Sequence, residues 1–170
     1  MTVRKKPSNG AGSPKAAPAP SSKKRSKAAA YVQDAPLLLN EPEAAYGLSP
    51  FQKIRKIKSG ISKKELSSIK EKARLDYDTL AQLLSVGRAT LINKKNTERF
   101  NPNVSEKILA LATLYAYGYD VFGDTDAFND WMKSPNLALG NASPLEFADT
   151  LTGIEEVRKL IGRIDYGIFS

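Results

Sequence analysis

The sequence predicts an all-α chain in two helical parts behind a basic tail, and three observations carry that reading. From Ser49 onward, helix-start signals recur every 9–39 residues. Apolar residues between them fall at steps of three, four and seven, the spacing of one helix face. No alternating apolar–polar run is long enough for a strand, and no repeat has a solenoid period.

Taken in order, residues 1–30 hold eight Lys and Arg and no acid, with almost no large apolar side chain. Such a segment cannot offset its ordering entropy by burial, so it is expected to be disordered. Two readings stand for it, a solubilising tail and an arm that touches DNA without sequence preference. Residues 31–48 read as a linker, with Leu37 to Leu39 a candidate for docking. Ser49-Pro50 supplies an N-cap and a first-turn proline, and Gly60 closes that helix. Capping boxes of the form S/T-x-x-E are expected at Ser62/Glu65, Ser143/Glu146 and Thr152/Glu155. Asn101-Pro102 and Asp124 mark further starts. After Asn101, one buried face is predicted from Val104, Ile108, Leu111, Tyr115 and Phe122. The last helix repeats the pattern with Val157, Leu160, Ile161 and Ile164. The resulting division is a tail and linker over 1–48, a first helical domain over 49–101 and a second over 102–170.

Composition excludes much chemistry. There is no cysteine and no histidine, which removes disulfides, thiolate nucleophiles, Cys/His zinc sites and Ser-His or Cys-His catalysis. No apolar run approaches the roughly 20 residues of a membrane helix, and the basic N-terminus lacks the apolar core of a secretory signal. A cytoplasmic, non-enzymatic protein without cofactor or metal is therefore expected. Asp124, Asp126 and Asp130 fall in a calcium-loop-like register, but Asn129 and Pro135 stand where that loop needs glycine and glutamate. An acidic first helical turn explains these aspartates better. Charge is unevenly placed. Residues 51–107 hold fourteen basic and six acidic residues, and residues 108–170 four basic and nine acidic. The two halves are expected to meet different partners.

In the basic half, residues 77–95 read YDTLAQLLSVGRATLINKK. A short helix carries Leu80, Ala81, Leu83 and Leu84, pauses at Ser85-Val86-Gly87 and restarts at Arg88. Ala81 would let a second helix cross closely, and Val86 and Leu91 would pin the crossing angle. The pattern resembles the helix-turn-helix of phage-repressor-type regulators, whose second helix enters the major groove. On that helix Arg88 and Thr90 lie in the first turn and Asn93 one turn on. Arg pairs bidentately with guanine and Asn with adenine. Lys94, Lys95 and Arg99 behind it, with Lys53, Arg55, Lys56, Lys58, Lys63 and Lys64 ahead, suit phosphate contacts. The alternative is an ordinary helical hairpin with a solvated basic face. Ser85 stands where many such motifs have glycine, so it must accept a conformation glycine takes more easily. Gly87 brings no hydroxyl to a phosphate, and a dimer reading two half-sites of duplex operator would compensate.

In the acidic half, SPNLALGNASPLE (134–146) sets Pro135 and Pro144 on either side of a Gly140-Asn141 corner. That arrangement is expected to hold Leu137, Leu139 and Leu145 in one rigid patch. With Trp131, Thr150, Gly153, Val157 and the terminal Leu160-Ile161-Gly162-Arg163-Ile164-Asp165-Tyr166-Gly167, it resembles the C-terminal toxin-binding domain of Xre/ParS/MbcA antitoxins. The resemblance extends from about residue 50 to the end, and Asn141 stands where many relatives have a second glycine. It implies an antitoxin, paired in bacteria with a RES-fold toxin that consumes or transfers from NAD. Such an antitoxin would occlude the toxin's active site and repress its own promoter. The implied toxin contacts are Leu137, Leu139, Arg163, Asp165, Tyr166, Ile168, Phe169 and Ser170. Tyr, Phe and Arg are types enriched at interface hot spots. Bland readings remain beside these: Trp131 as core, Leu137 and Leu139 as core or interface, Arg163 as a complement to its helix dipole. The competing functions are a stand-alone repressor whose C-terminal half dimerises or senses a small molecule and, weakest because no histidine, cysteine, metal cluster or phosphate-cradling glycine loop supports it, an enzyme using a carboxylate pair.

Overall fold

The structure, a computed structural model, describes residues 1–2 and 45–167. Residues 45–167 belong to one compact unit, Pro36–Ser170; of the other, Met1–Ala35, only the exposed Met1 and Thr2 are described. The expectations for the basic tail, for Leu37 to Leu39, and for Ile168, Phe169 and Ser170 lie outside the described residues.

Eight α-helices and one 3-10 turn lie wholly within the described residues, Ala45 and Tyr46 are also helical, and no strand is found among them. The helices are α1 Pro50–Ser59, α2 Lys63–Lys72, α3 Tyr77–Leu84, α4 Arg88–Asn93, α5 Pro102–Phe122, α6 Thr125–Lys133, α7 Pro144–Phe147 and α8 Leu151–Asp165, with the 3-10 turn at Leu137–Leu139. Most begin where the sequence says they should. Ser49 Oγ accepts from the Gln52 N–H, and Gln52 Oε1 accepts from the Ser49 N–H at 2.8 Å. Asn101 Oδ1 accepts from the Val104 N–H at 2.9 Å, ahead of Pro102. Asp124 Oδ1 accepts from the N–H groups of Asp126 and Ala127. Each satisfies donors that a helix leaves orphaned.

The box expected at Thr152/Glu155 is not formed. α8 starts two residues earlier, with Thr150 Oγ1 accepting from the Gly153 N–H at 3.0 Å. Glu155 instead holds Arg158 through two bonds of 2.9 and 2.7 Å. The cause is tertiary: a Cβ at position 153 would lie 1.7 Å from the Phe147 carbonyl oxygen. Glycine lets α7 turn directly onto the first turn of α8, and that contact sets where the helix begins.

α5 is the central element, packing against α8, α1, α6 and α3. Its burial exceeds one face: Val104, Ile108, Leu111 and Tyr115 are buried, and so are Leu109, Ala112, Leu114, Ala116 and Tyr119. Phe122 is only half-buried. Gly118 makes a seat for Phe128, whose ring would stand 2.1 Å from a Cβ there. Phe128 then meets Tyr115, Tyr119 and Phe122 edge to face and stacks on Trp131 at 5.7 Å. In α8, Val157 and Ile161 are fully buried, while Leu160 and Ile164 are half-buried.

The Tyr115 hydroxyl sits in this aromatic cluster with no hydrogen-bond partner, and burial pushes its pKa up. An unsatisfied buried hydroxyl costs about 1–3 kcal/mol. Tyr115→Phe is therefore expected to leave the midpoint of thermal unfolding unchanged or raise it; a fall of more than a few degrees would show that the hydroxyl is used.

Candidate nucleic-acid interface and projecting chain end

The helix-turn-helix forms as read. α3 spans Tyr77–Leu84 and α4 begins at Arg88, capped by Gly87 in an extended conformation. Ser85 takes the left-handed conformation, φ 53° and ψ 47°. It is held there from outside the motif: Lys107 Nζ on α5 donates to Ser85 Oγ at 2.8 Å and to the Asp149 carbonyl at 3.0 Å. Leu91 is fully buried, and Val86 and Ala81 pack half-buried against the core, fixing α4 across α3.

Arg88, Thr90, Asn93 and Lys95 are all exposed on or just after α4. Arg88 Nε donates to Asp78 Oδ1 at 2.9 Å, with both side chains more than half exposed. A surface pair of this kind contributes about 0–1 kcal/mol, so Asp78 orients the guanidinium without locking it. Lys94 is half-buried, 3.8 Å from Glu98 and over the Phe100 ring. Arg99 faces elsewhere: its Nη1 donates to the Gly60 carbonyl at 2.6 Å, tying the segment after α4 to the α1–α2 junction.

Two of the lysines assigned to phosphate are buried. Lys56 is 3% exposed and ion-paired to Glu65 at 2.6 Å. Glu65 also accepts from the Ser62 N–H and hydroxyl, both at 2.8 Å, completing the expected box. Lys63 runs inward and donates to the Leu91 carbonyl and, at 3.4 Å, to that of Ile92. These are end carbonyls of α4, which a short helix cannot satisfy by itself. Lys63 therefore acts as the C-terminal cap of α4, where the helix dipole favours a cation. Composition gives no sign of this, because the carbonyls lie 28 residues away. Lys53 is half-buried, and Arg55, Lys58 and Lys64 remain exposed.

At the other end, the 134–146 corner closes on itself. Asn136 Oδ1 accepts from the Ala138 N–H at 2.9 Å, and the Asn136 N–H donates to the Ala142 carbonyl at 3.1 Å. Gly140 (φ 68°) and Asn141 (φ 70°) both take left-handed geometry, as the Gly-Asn pair suggested. The Ser143/Glu146 box forms, and the Ser143 N–H and hydroxyl hold the Glu146 carboxyl below its usual range. The three leucines do not share one outward patch. Leu145 packs against the core because α7 lies on it, with Pro144 and Ala148 buried; Leu139 is half-buried, and Leu137 projects at 86% exposure.

α8 carries Arg163 and Asp165 exposed on its last turn and ends at Tyr166, 80% exposed. Asp165 Oδ2 accepts from the Tyr117 hydroxyl on α5 at 3.3 Å. Burial, then the Asp165 charge, raises the Tyr117 pKa. The structure thus gathers Arg163, Asp165 and Tyr166 at one helix end, and Arg88, Thr90 and Asn93 on another helix with Lys95 just after it. No helix among the described residues is long and apolar enough to cross a membrane, and no group of acidic side chains among them is placed to hold a metal.

Two regions of the chain match known families. Residues 52–112 match the antitoxin Xre-like helix-turn-helix domain, and residues 118–167 match the antitoxin Xre/MbcA/ParS C-terminal toxin-binding domain. The Prs ADP-ribosylating antitoxin of Sphingobium sp. (strain YBL2) is 30% identical over 139 residues, 75% of this chain and 87% of that protein. Antitoxin Xre of Yersinia enterocolitica serotype O:8 is 32% identical over 116 residues, 67% of this chain and 78% of its own length. Antitoxin Xre of Photorhabdus laumondii is 37% identical over 73 residues, 42% and 49% of the two chains.

Proposed function

This chain belongs to the Xre/MbcA/ParS antitoxins, with a helix-turn-helix and a toxin-binding domain, and from that premise we propose that it neutralises a RES-fold, NAD-consuming toxin by occluding its active site. The observation that carries the proposal is the end of α8. One side of that helix is fixed in the core by Val157 and Ile161, while Arg163, Asp165 and Tyr166 stand in solvent at its tip. A pre-ordered aromatic and charged tip loses little entropy on docking, so more of its burial appears as affinity. Ile168, Phe169 and Ser170 extend the same tip in sequence, and Leu137, with Leu139 beside it, supplies a second contact. The name of the Sphingobium relative ties that antitoxin to ADP-ribosylation of Prs; a toxin drawing ADP-ribose from NAD fits the same scheme. Residues 49–101 are assigned to DNA and 102–170 to the toxin, in a bacterial cytoplasm, with no reaction catalysed by this chain.

The same chain represses its own operon as a homodimer on duplex operator. Support comes from Arg88, Thr90, Asn93 and Lys95, all exposed on or just after α4, and from the brevity of α4, six residues long. One such helix reads few base pairs, and a second half-site one helical turn away, about 34 Å, restores specificity. Arg88→Ala is expected to blur discrimination between operator and unrelated DNA. Lys95→Ala should weaken both alike and reduce the salt slope of log affinity by about 0.9. A wild-type complex insensitive to salt would remove the DNA assignment.

Co-expression with a RES-fold toxin tests the whole reading. Co-purification of the pair and restored cellular NAD are expected; a toxin that neither co-purifies nor is silenced would refute it.

A further inference from the structure

Residues 31–48 read as a linker in the sequence, yet the structure fastens the end of that stretch to the molecule. Ala45 is fully buried, and Leu48 packs against the core. Between them Tyr46, 49% exposed, stacks on Tyr117 with ring centroids 6.0 Å apart and planes 8° from parallel. The Tyr117 hydroxyl lies above α8, placed so that a Cβ at Gly162 would sit 3.5 Å from it, and it donates to Asp165. Asp165 is the last residue of α8 before the turn at Tyr166 and Gly167, whose N–H groups bond back to the Gly162 and Ile164 carbonyls. Tyr46 precedes both matched regions, and Tyr117 falls between them.

We propose that Tyr46 and Tyr117 are positioning residues for the toxin-facing end of the chain. Tyr46 backs the Tyr117 ring, and the Tyr117 hydroxyl holds Asp165, which fixes the direction in which Tyr166 and Gly167 leave α8. The inference rests on the toxin-binding reading above and adds to it: the segment just before α1 serves the toxin side of the molecule although it adjoins the DNA side in sequence. The physical basis is pre-organisation. A tip already held in its bound direction gives up less freedom on docking, and the gain appears as slower dissociation.

The test uses the full chain, a RES-fold toxin that the wild type silences, and a cycle of Tyr46→Ala, Tyr117→Phe, Asp165→Ala and the Tyr117→Phe/Asp165→Ala pair. Tyr117→Phe keeps the ring stack and removes only the donor. Dissociation from toxin is expected to quicken roughly three- to tenfold for Tyr46→Ala and Tyr117→Phe, with operator affinity unchanged. Because Tyr117 acts through Asp165, Tyr117→Phe should add nothing in the Asp165→Ala background. A purely structural role for Tyr117 would give additive losses and would overturn the inference. So would wild-type dissociation rates in both tyrosine variants. If the wild type binds and silences no RES-fold toxin, the preceding reading fails first and this one falls with it.

Discussion

A chain ending at Asp165 is expected to lose protection from toxin completely while binding operator DNA as before. The cut removes Tyr166 to Ser170 and leaves the buried contacts of α8, because Ile161 and Val157 lie about one and two turns upstream of the tip. No residue of α3 or α4 is altered. What is lost is the exposed Tyr166 and, further along the sequence and outside the described residues, Phe169. Aromatic anchors at interface centres are typically worth about 2–4 kcal/mol each on truncation, with losses that need not add. Even one such anchor corresponds to about thirtyfold or more in affinity. Growth rescue from toxin and retention of toxin on the purified chain would read the loss; gel-shift affinity for operator would read what is kept. Full protection by the shortened chain would sink the assignment of the tip and favour a C-terminal half that only dimerises.

Glu65→Ala is expected to destabilise the protein by roughly 3–5 kcal/mol, the range for removing one partner of a buried ion pair. The variant strips the buried Lys56 ammonium of a carboxylate 2.6 Å away and also opens the Ser62 box that starts α2. The damage reaches α4, because Lys63, the next residue after Ser62, caps the Leu91 and Ile92 carbonyls. Operator binding should therefore weaken by more than the loss of folded protein explains. The double variant Lys56→Met/Glu65→Leu is expected to cost less than Glu65→Ala alone, since it removes both charges from the interior. Urea unfolding of the three proteins measures this. A Glu65→Ala cost within 1 kcal/mol would mean that the pair is hydrated or dispensable.

Much of the fold is legible without coordinates because its signals are local. Ser49 with Gln52, Ser62 with Glu65, Asn101 with Val104 and Asp124 with Asp126 each bond within three residues. A cap that close depends on little else, so the sequence places the helix. The turn of the helix-turn-helix is readable for the same reason: Ser85-Val86-Gly87 must bend, and Leu91 must point inward wherever the rest lies. Where a contact between elements bears on a helix start, the reading fails: the box expected at Thr152/Glu155 is not formed, and Thr150 caps α8 where Gly153 meets the Phe147 carbonyl across the α7–α8 corner.

By itself, then, the sequence determined the all-α class, most helix starts and the two-part division of charge, since each follows from side chains and backbone a few residues apart. Which charges meet solvent was decided by the tertiary structure. Lys56, Lys63 and Lys64 are one residue type on one basic stretch, yet the first two are buried against Glu65 and the α4 carbonyls and the third is exposed. Tyr46 likewise belongs to a stretch of linker composition and takes its place against Tyr117, 71 residues on. A lysine or tyrosine takes its role from the partner that pairs with it, and folding alone brings partners so far apart in sequence together.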